Sequence, residues 1–221
     1  MGGLLTSFIF SNSAKNLPIL AHQFGNSGPR VLILAGVHGD EIEGVWAAQG
    51  LLKSFMQAFP YELQLTLVPS FNIEGVLAKT RGNSRGVDLN RNLPTKDWSP
   101  EIKGPRYNPG PKALSESENQ GLVKFIETQA PQFILSLHSW HPVLNINGDC
   151  LGEAQVLSQF TNYKIDDDIG YPTPGCLGTY AGLERQSPTL TYEIERGLNL
   201  EAVLSIHVPA ILEALKITEK R

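Results

Sequence analysis

Val31-Leu-Ile-Leu-Ala35 is an unbroken apolar run rich in β-formers, the pattern of a strand buried on both faces. Gly36 to Gly39 ends it. From Glu41 to Phe59 the apolar residues Val45, Ala48, Leu51, Leu52 and Phe55 keep helical spacing, and Pro60 ends that helix. Leu63 to Val68 reads as the next strand, which makes a βαβ unit. Residues 92–113 carry Pro94, Pro100, Pro105 and Pro109 and predict irregular surface chain. Ser115-Glu-Ser-Glu118 has the form of a capping box, opening a helix through about Gln129. Phe133 to His138 and Thr189 to Ile194 are two further strands. Asn199 caps a final helix to about Lys216 that Pro209 must kink or interrupt. This alternation predicts an α/β fold, a three-layer sandwich with a mixed, mostly parallel central sheet flanked by helices. No repeat or composition break divides the chain, so residues 1–221 read as one domain.

Composition narrows the function classes. With 221 residues, 41% hydrophobic and 18% charged, the chain can bury a sizeable core and is not disordered. A net charge of −4 supplies no field for nucleic acid or an anionic membrane. Cys150 and Cys176 allow one bridge at most, which points to a reduced compartment. No stretch approaches the ~18 apolar residues of a spanning helix. The opening apolar run has no basic residues before it, unlike a secretory signal, so the expected location is cytoplasmic. Gly2 with Thr6 fits the loose myristoylation pattern, which short sequences often meet by chance.

The chemistry concentrates where strands end. His38, His138 and Glu193 all stand at or just past the carboxyl end of a predicted strand, where α/β sheets bind ligands. His38 and Glu41 are three apart across a strand-to-helix turn, close enough to share a metal. The same residues also suit a surface histidine beside a helix N-terminus, whose dipole favours Asp40, Glu41 and Glu43. His138 is a natural third ligand, with His141 a competitor just before Pro142, whereas His22 and His207 have no metal-type neighbours in sequence. Arg81-Gly-Asn-Ser-Arg-Gly-Val-Asp-Leu-Asn-Arg-Asn92 crowds three arginines into a loop that reads as a solvated basic segment or as an anion pocket.

The ordered motifs Gly36-Val-His-Gly-Asp-Glu41, Gly86-Val-Asp-Leu-Asn-Arg-Asn92, Leu135-Ser-Leu-His138 and Leu190-Thr-Tyr-Glu193 resemble those of the zinc carboxypeptidases. Together with Arg81-x-Asn83 and Gly170-Tyr-Pro-Thr-Pro-Gly175 they look most like the murein peptide amidase branch, from about residue 30 to residue 195. The resemblance implies one zinc per chain held by His38, Glu41 and His138, with Asp88 orienting an imidazole, that of His38. It makes Glu193 the general base and acid, and Arg81 the group that polarises the scissile carbonyl. Asn90 and Arg91 would grip a terminal carboxylate, and Tyr171 would close over substrate, with Tyr180 in the same segment as its competitor. The implied reaction is zinc-dependent hydrolysis of a short peptide beside a free carboxylate, at a γ-D-glutamyl–diaminopimelate bond of murein peptides. An N-acyl amino acid deacylase similar to aspartoacylase shares the His-x-x-Glu and Asn-Arg features, and a non-catalytic carboxylate-binding module is the remaining alternative. Three departures bear on substrate and touch no implied ligand. They are Asn72-Ile-Glu-Gly75 in place of Asn-Pro-Asp-Gly, Cys176 in place of a serine, and Ser-Trp after His138.

Overall fold

The computed structural model describes residues 4–102 and 104–221; Gly2 lies outside them. Its centre is an eight-stranded sheet of order β1-β2-β4-β3-β5-β8-β6-β7. The strands are β1 (Leu4–Asn12), β2 (Pro18–Phe24), β3 (Arg30–Ala35), β4 (Gln64–Val68), β5 (Phe133–Trp140), β6 (Val143–Asn147), β7 (Lys164–Asp166) and β8 (Thr189–Glu195). β4, β3, β5 and β8 run parallel through the middle. The β1–β2 hairpin adds antiparallel strands at one end, and β6 joins β8 antiparallel at the other. β7 pairs with β6 in parallel at that edge, so the expected mixed, mostly parallel sheet is present.

Side-chain alternation along β3 divides the core into two layers. Val31, Ile33 and Ala35 pack towards α1 (Ile42–Gln57), α4 (Leu151–Thr161) and α6 (Val208–Thr218). Leu32 and Leu34 point the other way, into a cluster with Phe10 and Phe71 and with Leu122 and Ile126 of α3 (Ser117–Gln129). Each central strand therefore buries both faces, which is why these segments read as continuous apolar runs rather than alternating ones.

Local expectations held unevenly. Asn199 caps α5 (Leu200–Ala202), its side chain accepting from the Ala202 N–H at 2.9 Å. A π-helical stretch over Val203–His207 then leads into α6 with Pro209 in its first turn, so the α-helical pattern is interrupted just ahead of the proline, as expected. The Ser115–Glu118 capping box does not form. Helix α3 starts at Ser117 after Glu116, with no side-chain cap. Ser115 Oγ instead donates to Glu116 Oε1 and accepts from Asn92, because these side chains tie down the 83–92 loop. The hairpin, β6, β7 and α4 went unread. They are half-exposed edge elements whose apolar pattern is interrupted by polar residues.

The topology also creates the site. The chain passes from β3 to β4 on one side and then from β4 across to β5 on the other, so a crevice opens beyond the carboxyl end of β3. Two glycines bring the surrounding chain close. A Cβ on Gly44 in the first turn of α1 would meet the Leu137 carbonyl oxygen at 2.8 Å. A Cβ on Gly39 would sit 1.9 Å from the Gly75 carbonyl carbon, at α2 (Ile73–Ala78). Larger residues there would lift the His38–Glu41 turn away from β5.

Candidate active site

His38 and Glu41 occupy the β3–α1 turn, and His138 stands in β5 directly opposite Glu193 of β8. His38, Glu41 and His138 are each no more than 3% exposed. Both imidazoles turn Nδ1 inward onto the one carboxylate: His38 Nδ1 lies 2.9 Å from Glu41 Oε1, and His138 Nδ1 lies 2.8 Å from Glu41 Oε2. The two Nδ1 atoms are 3.2 Å apart. Ligand atoms of the three residues all lie within 4.8 Å of one another, the one such group of three or more among the described residues. Two imidazoles and a carboxylate converging on one point suit a divalent metal of the zinc type that keeps a position open.

The outward nitrogens are anchored as well. Asp88 Oδ1 accepts from His38 Nε2 at 3.0 Å, and Ser136 Oγ lies 3.0 Å from His138 Nε2. Such contacts fix ring orientation and tautomer. Asp88 is fully buried and also accepts from Arg81 Nε at 2.9 Å and the Asn90 N–H at 2.9 Å. Arg81 Nη1 reaches Glu41 Oε1 at 3.2 Å.

These contacts set the charge states. Burial and Arg81 push the His38 imidazolium down, but the carboxylates of Glu41 and Asp88 outweigh them and raise its pKa. Burial opposes ionisation of Glu41, yet the two histidines hold its pKa well below the usual carboxylate range. Asp88 is held low in the same way by His38 and Arg81. Glu193 differs: burial, reinforced by Glu41 and opposed by His138, pushes its pKa up to about 7. Its Oε2 is buried with no hydrogen-bond partner among the described residues. A carboxyl poised near neutrality beside a metal-type cluster can both take and return a proton.

A cavity of about 250 Å³ contains His38, Glu41, Arg81, Asn90, Arg91, Tyr171 and Glu193. Arg91 is buried against the Tyr107 ring, its guanidinium carbon 5.6 Å from the centroid, and Nη1 donates to the Asn90 carbonyl at 2.6 Å. Asn90 Oδ1 accepts from the Leu177 N–H at 2.8 Å, which turns its amide nitrogen to the donor role a carboxylate needs.

The sequence profile of the succinylglutamate desuccinylase/aspartoacylase catalytic domain matches residues 27–141. The chain belongs to this family. It is also 29% identical to murein peptide amidase A of Vibrio campbellii over 227 residues, covering 96% of this chain and 88% of that protein. The fold is similar to a crystal structure of murein-tripeptide amidase from Escherichia coli O157, with TM-score 0.75 and 23% identity, covering 96% of this chain and 91% of the other. It is similar to carboxypeptidase A from Helicoverpa armigera as well, with TM-score 0.81 and 15% identity over 99% of this chain and 68% of the other. The motif resemblance to the zinc carboxypeptidases near murein peptide amidase therefore holds, and the chain is a hydrolase of the amidase and carboxypeptidase type.

Within this family fold, Tyr171 lines the cavity, whereas Tyr180 is wholly buried in the core with its hydroxyl donating to Glu127 at 3.2 Å. His141 is exposed at the β5–β6 turn, outside the metal-type cluster. Glu43 accepts from Ser139 Oγ at 2.6 Å and the Gly197 N–H at 2.7 Å, a framework role. Sequence reasoning missed Ser136, although it sits two residues before His138 on the same strand face. It also missed Tyr107, Arg106 and Arg196. Tyr107, whose ring lies 5.2 Å from the Arg81 guanidinium carbon, comes from the proline-rich segment that reads as mere surface loop. No helix of the described residues is long and apolar enough to cross a membrane.

Proposed function

We propose that this chain is a zinc-dependent amidase that releases an amino acid carrying a free carboxylate from a short peptide, at a γ-D-glutamyl–diaminopimelate bond. The observation that carries the reading is the convergence of His38 Nδ1, His138 Nδ1 and Glu41 beside an unpartnered Glu193 raised to about 7. His38, Glu41 and His138 would hold one zinc, which when bound supplies a Lewis acid for the carbonyl and lowers the pKa of a water. Glu193 takes the proton from the attacking water and delivers it to the leaving amine. Arg81, charged and preorganised by Asp88, donates to the oxygen on which negative charge develops. Asn90 and Arg91 hold the substrate's carboxylate, which sets the neighbouring amide against the base. Tyr171, kept protonated because burial raises its pKa against Arg91 and Arg81, closes over the bound group as a donor. Retention of a base such as Glu193 argues against a binding module, which needs none. The two free cysteines, Cys150 and Cys176, fit a cytoplasmic location.

A second reading, deacylation of an N-acyl amino acid, has support in the desuccinylase/aspartoacylase profile, which spans His38 through His138. The profile stops short of Glu193 and Tyr171. Murein tripeptide, a hippuryl dipeptide and an N-acyl amino acid, each incubated with protein as isolated, stripped by chelator and reloaded with zinc, test both. Release of diaminopimelate from the tripeptide alone, lost on stripping and regained with zinc, is the expected result. Hydrolysis of the N-acyl amino acid alone favours the second reading, and activity insensitive to stripping overturns the zinc assignment.

A further inference from the structure

Three arginines line the cavity, and the proposed reaction uses only two of them. Arg106 is the third. Its Nη2 donates to Asp40 Oδ2 at 2.7 Å, and Asp40 lies in the turn between His38 and Glu41. Arg196 approaches the same Asp40 oxygen, with Nη1 at 3.7 Å. Two guanidiniums thus approach one carboxylate. They differ in how they are held. Arg196 donates to the Ser139 carbonyl at 3.2 Å, lies 3.5 Å from Glu41 Oε1 and stacks over Trp140 at 5.3 Å, which makes it part of the framework. Arg106 has Asp40 as its one hydrogen-bond partner among the described residues, and its side chain is 49% exposed. A guanidinium offers five N–H donors, so most of its fork is open to a ligand.

Position decides which part of a substrate meets that fork. Arg91 is buried deep in the cavity, only 6% exposed. With a terminal carboxylate bound there, the amide would lie towards His38, Glu41 and His138, and the acyl part would extend to the more exposed lining of the cavity, to which Arg106 belongs. We propose that Arg106 binds a free carboxylate on the acyl side of the scissile amide, and so selects substrates whose acyl group is itself acidic. This rests on the amidase reading and sharpens its substrate class. A glutamyl residue linked through its side-chain carboxyl keeps its α-carboxylate free and fits. So does a succinyl group, whose distal carboxylate is free. An ordinary α-linked peptide presents a neutral amide at that place.

The test compares two γ-D-glutamyl–diaminopimelate peptides that differ only in whether the glutamyl α-carboxylate is free or amidated. Wild type should favour the free acid by about tenfold in kcat/KM, the scale of one charge-assisted hydrogen-bond pair. Arg106→Gln should cut that preference to about twofold or less, and Arg106→Lys should restore part of it. A preference unchanged in Arg106→Gln, or a loss equal for both peptides, overturns the proposal while leaving the amidase reading intact. If wild type hydrolyses neither peptide, the amidase reading fails. Calorimetric binding of the same pair, and of N-succinylglutamate against its succinamide, to wild type and Arg106→Gln then decides the Arg106 assignment separately. Absence of any binding preference for the free carboxylate in wild type overturns it.

Discussion

Asp88→Asn isolates one buried carboxylate that serves three donors at once. Asp88 is fully buried and accepts from His38 Nε2 at 3.0 Å, Arg81 Nε at 2.9 Å and the Asn90 N–H at 2.9 Å. Asparagine keeps the shape, but one of its two terminal atoms becomes a donor. If the oxygen faces His38, the amide nitrogen meets Arg81 Nε, donor against donor. The flipped amide sets the same conflict against the Asn90 N–H. Either way a buried cation loses its carboxylate, a change that costs roughly 3–5 kcal/mol when the pair is fully enclosed. Arg81 retains Glu41 at 3.2 Å, so the low end, about 3 kcal/mol, is expected. For a chain of this size that corresponds to a fall in Tm of about 6–12 °C. Urea unfolding of metal-free wild type and variant measures it without any assumption about the metal. A chelator competition should show zinc held about 10–100-fold more weakly, because His38 is no longer oriented. Stability within about 0.5 kcal/mol of wild type, the range of ordinary surface changes, would refute the idea that Asp88 organises this site.

Three further outcomes follow from other residues. Glu193→Gln should retain metal by elemental analysis while kcat falls by about 10²–10⁴-fold, and near-normal turnover would show that the base lies elsewhere. Arg91→Ala should raise KM for a free-carboxylate substrate by the equivalent of about 2–5 kcal/mol and change little for the same peptide amidated at that carboxylate; equal effects on both would remove the clamp. His207 is buried against the Tyr192 hydroxyl, with Nε2 lacking a partner among the described residues, and burial lowers its pKa to about 4. Between that value and the unfolded value of 6.5 the unfolded chain binds the extra proton. Stability should therefore fall by up to roughly 3 kcal/mol as pH drops through this window. Denaturation curves of His207→Gln should show a flatter pH dependence, and parallel curves would discount the buried histidine.

The central strands and helices were legible in the sequence because burial on both faces demands long apolar runs, and nothing else in a short chain looks like Val31–Ala35 or Phe133–Leu137. Edge elements were not. A strand such as β1 buries Phe10 while exposing Ile9, so its pattern is weak, and the hairpin becomes definite only through pairing with β2 and β4. The Ser115–Glu118 segment shows the converse, a clear local signal overridden when its side chains found buried partners.

At the site, sequence alone determined the residue types at strand ends, since a βα turn needs glycine and a ligand needs imidazole or carboxylate whatever surrounds it. It left open which of several polar residues face inward. Tyr171 and Tyr180 are nine positions apart in similar company, and only packing sent one to the cavity and the other to the core. Ser136, Tyr107 and the Arg106–Asp40 pair carry no local signature at all. Their roles arise from approach across strands and loops, where hydrogen-bond geometry is set by distances in space that residue spacing does not encode.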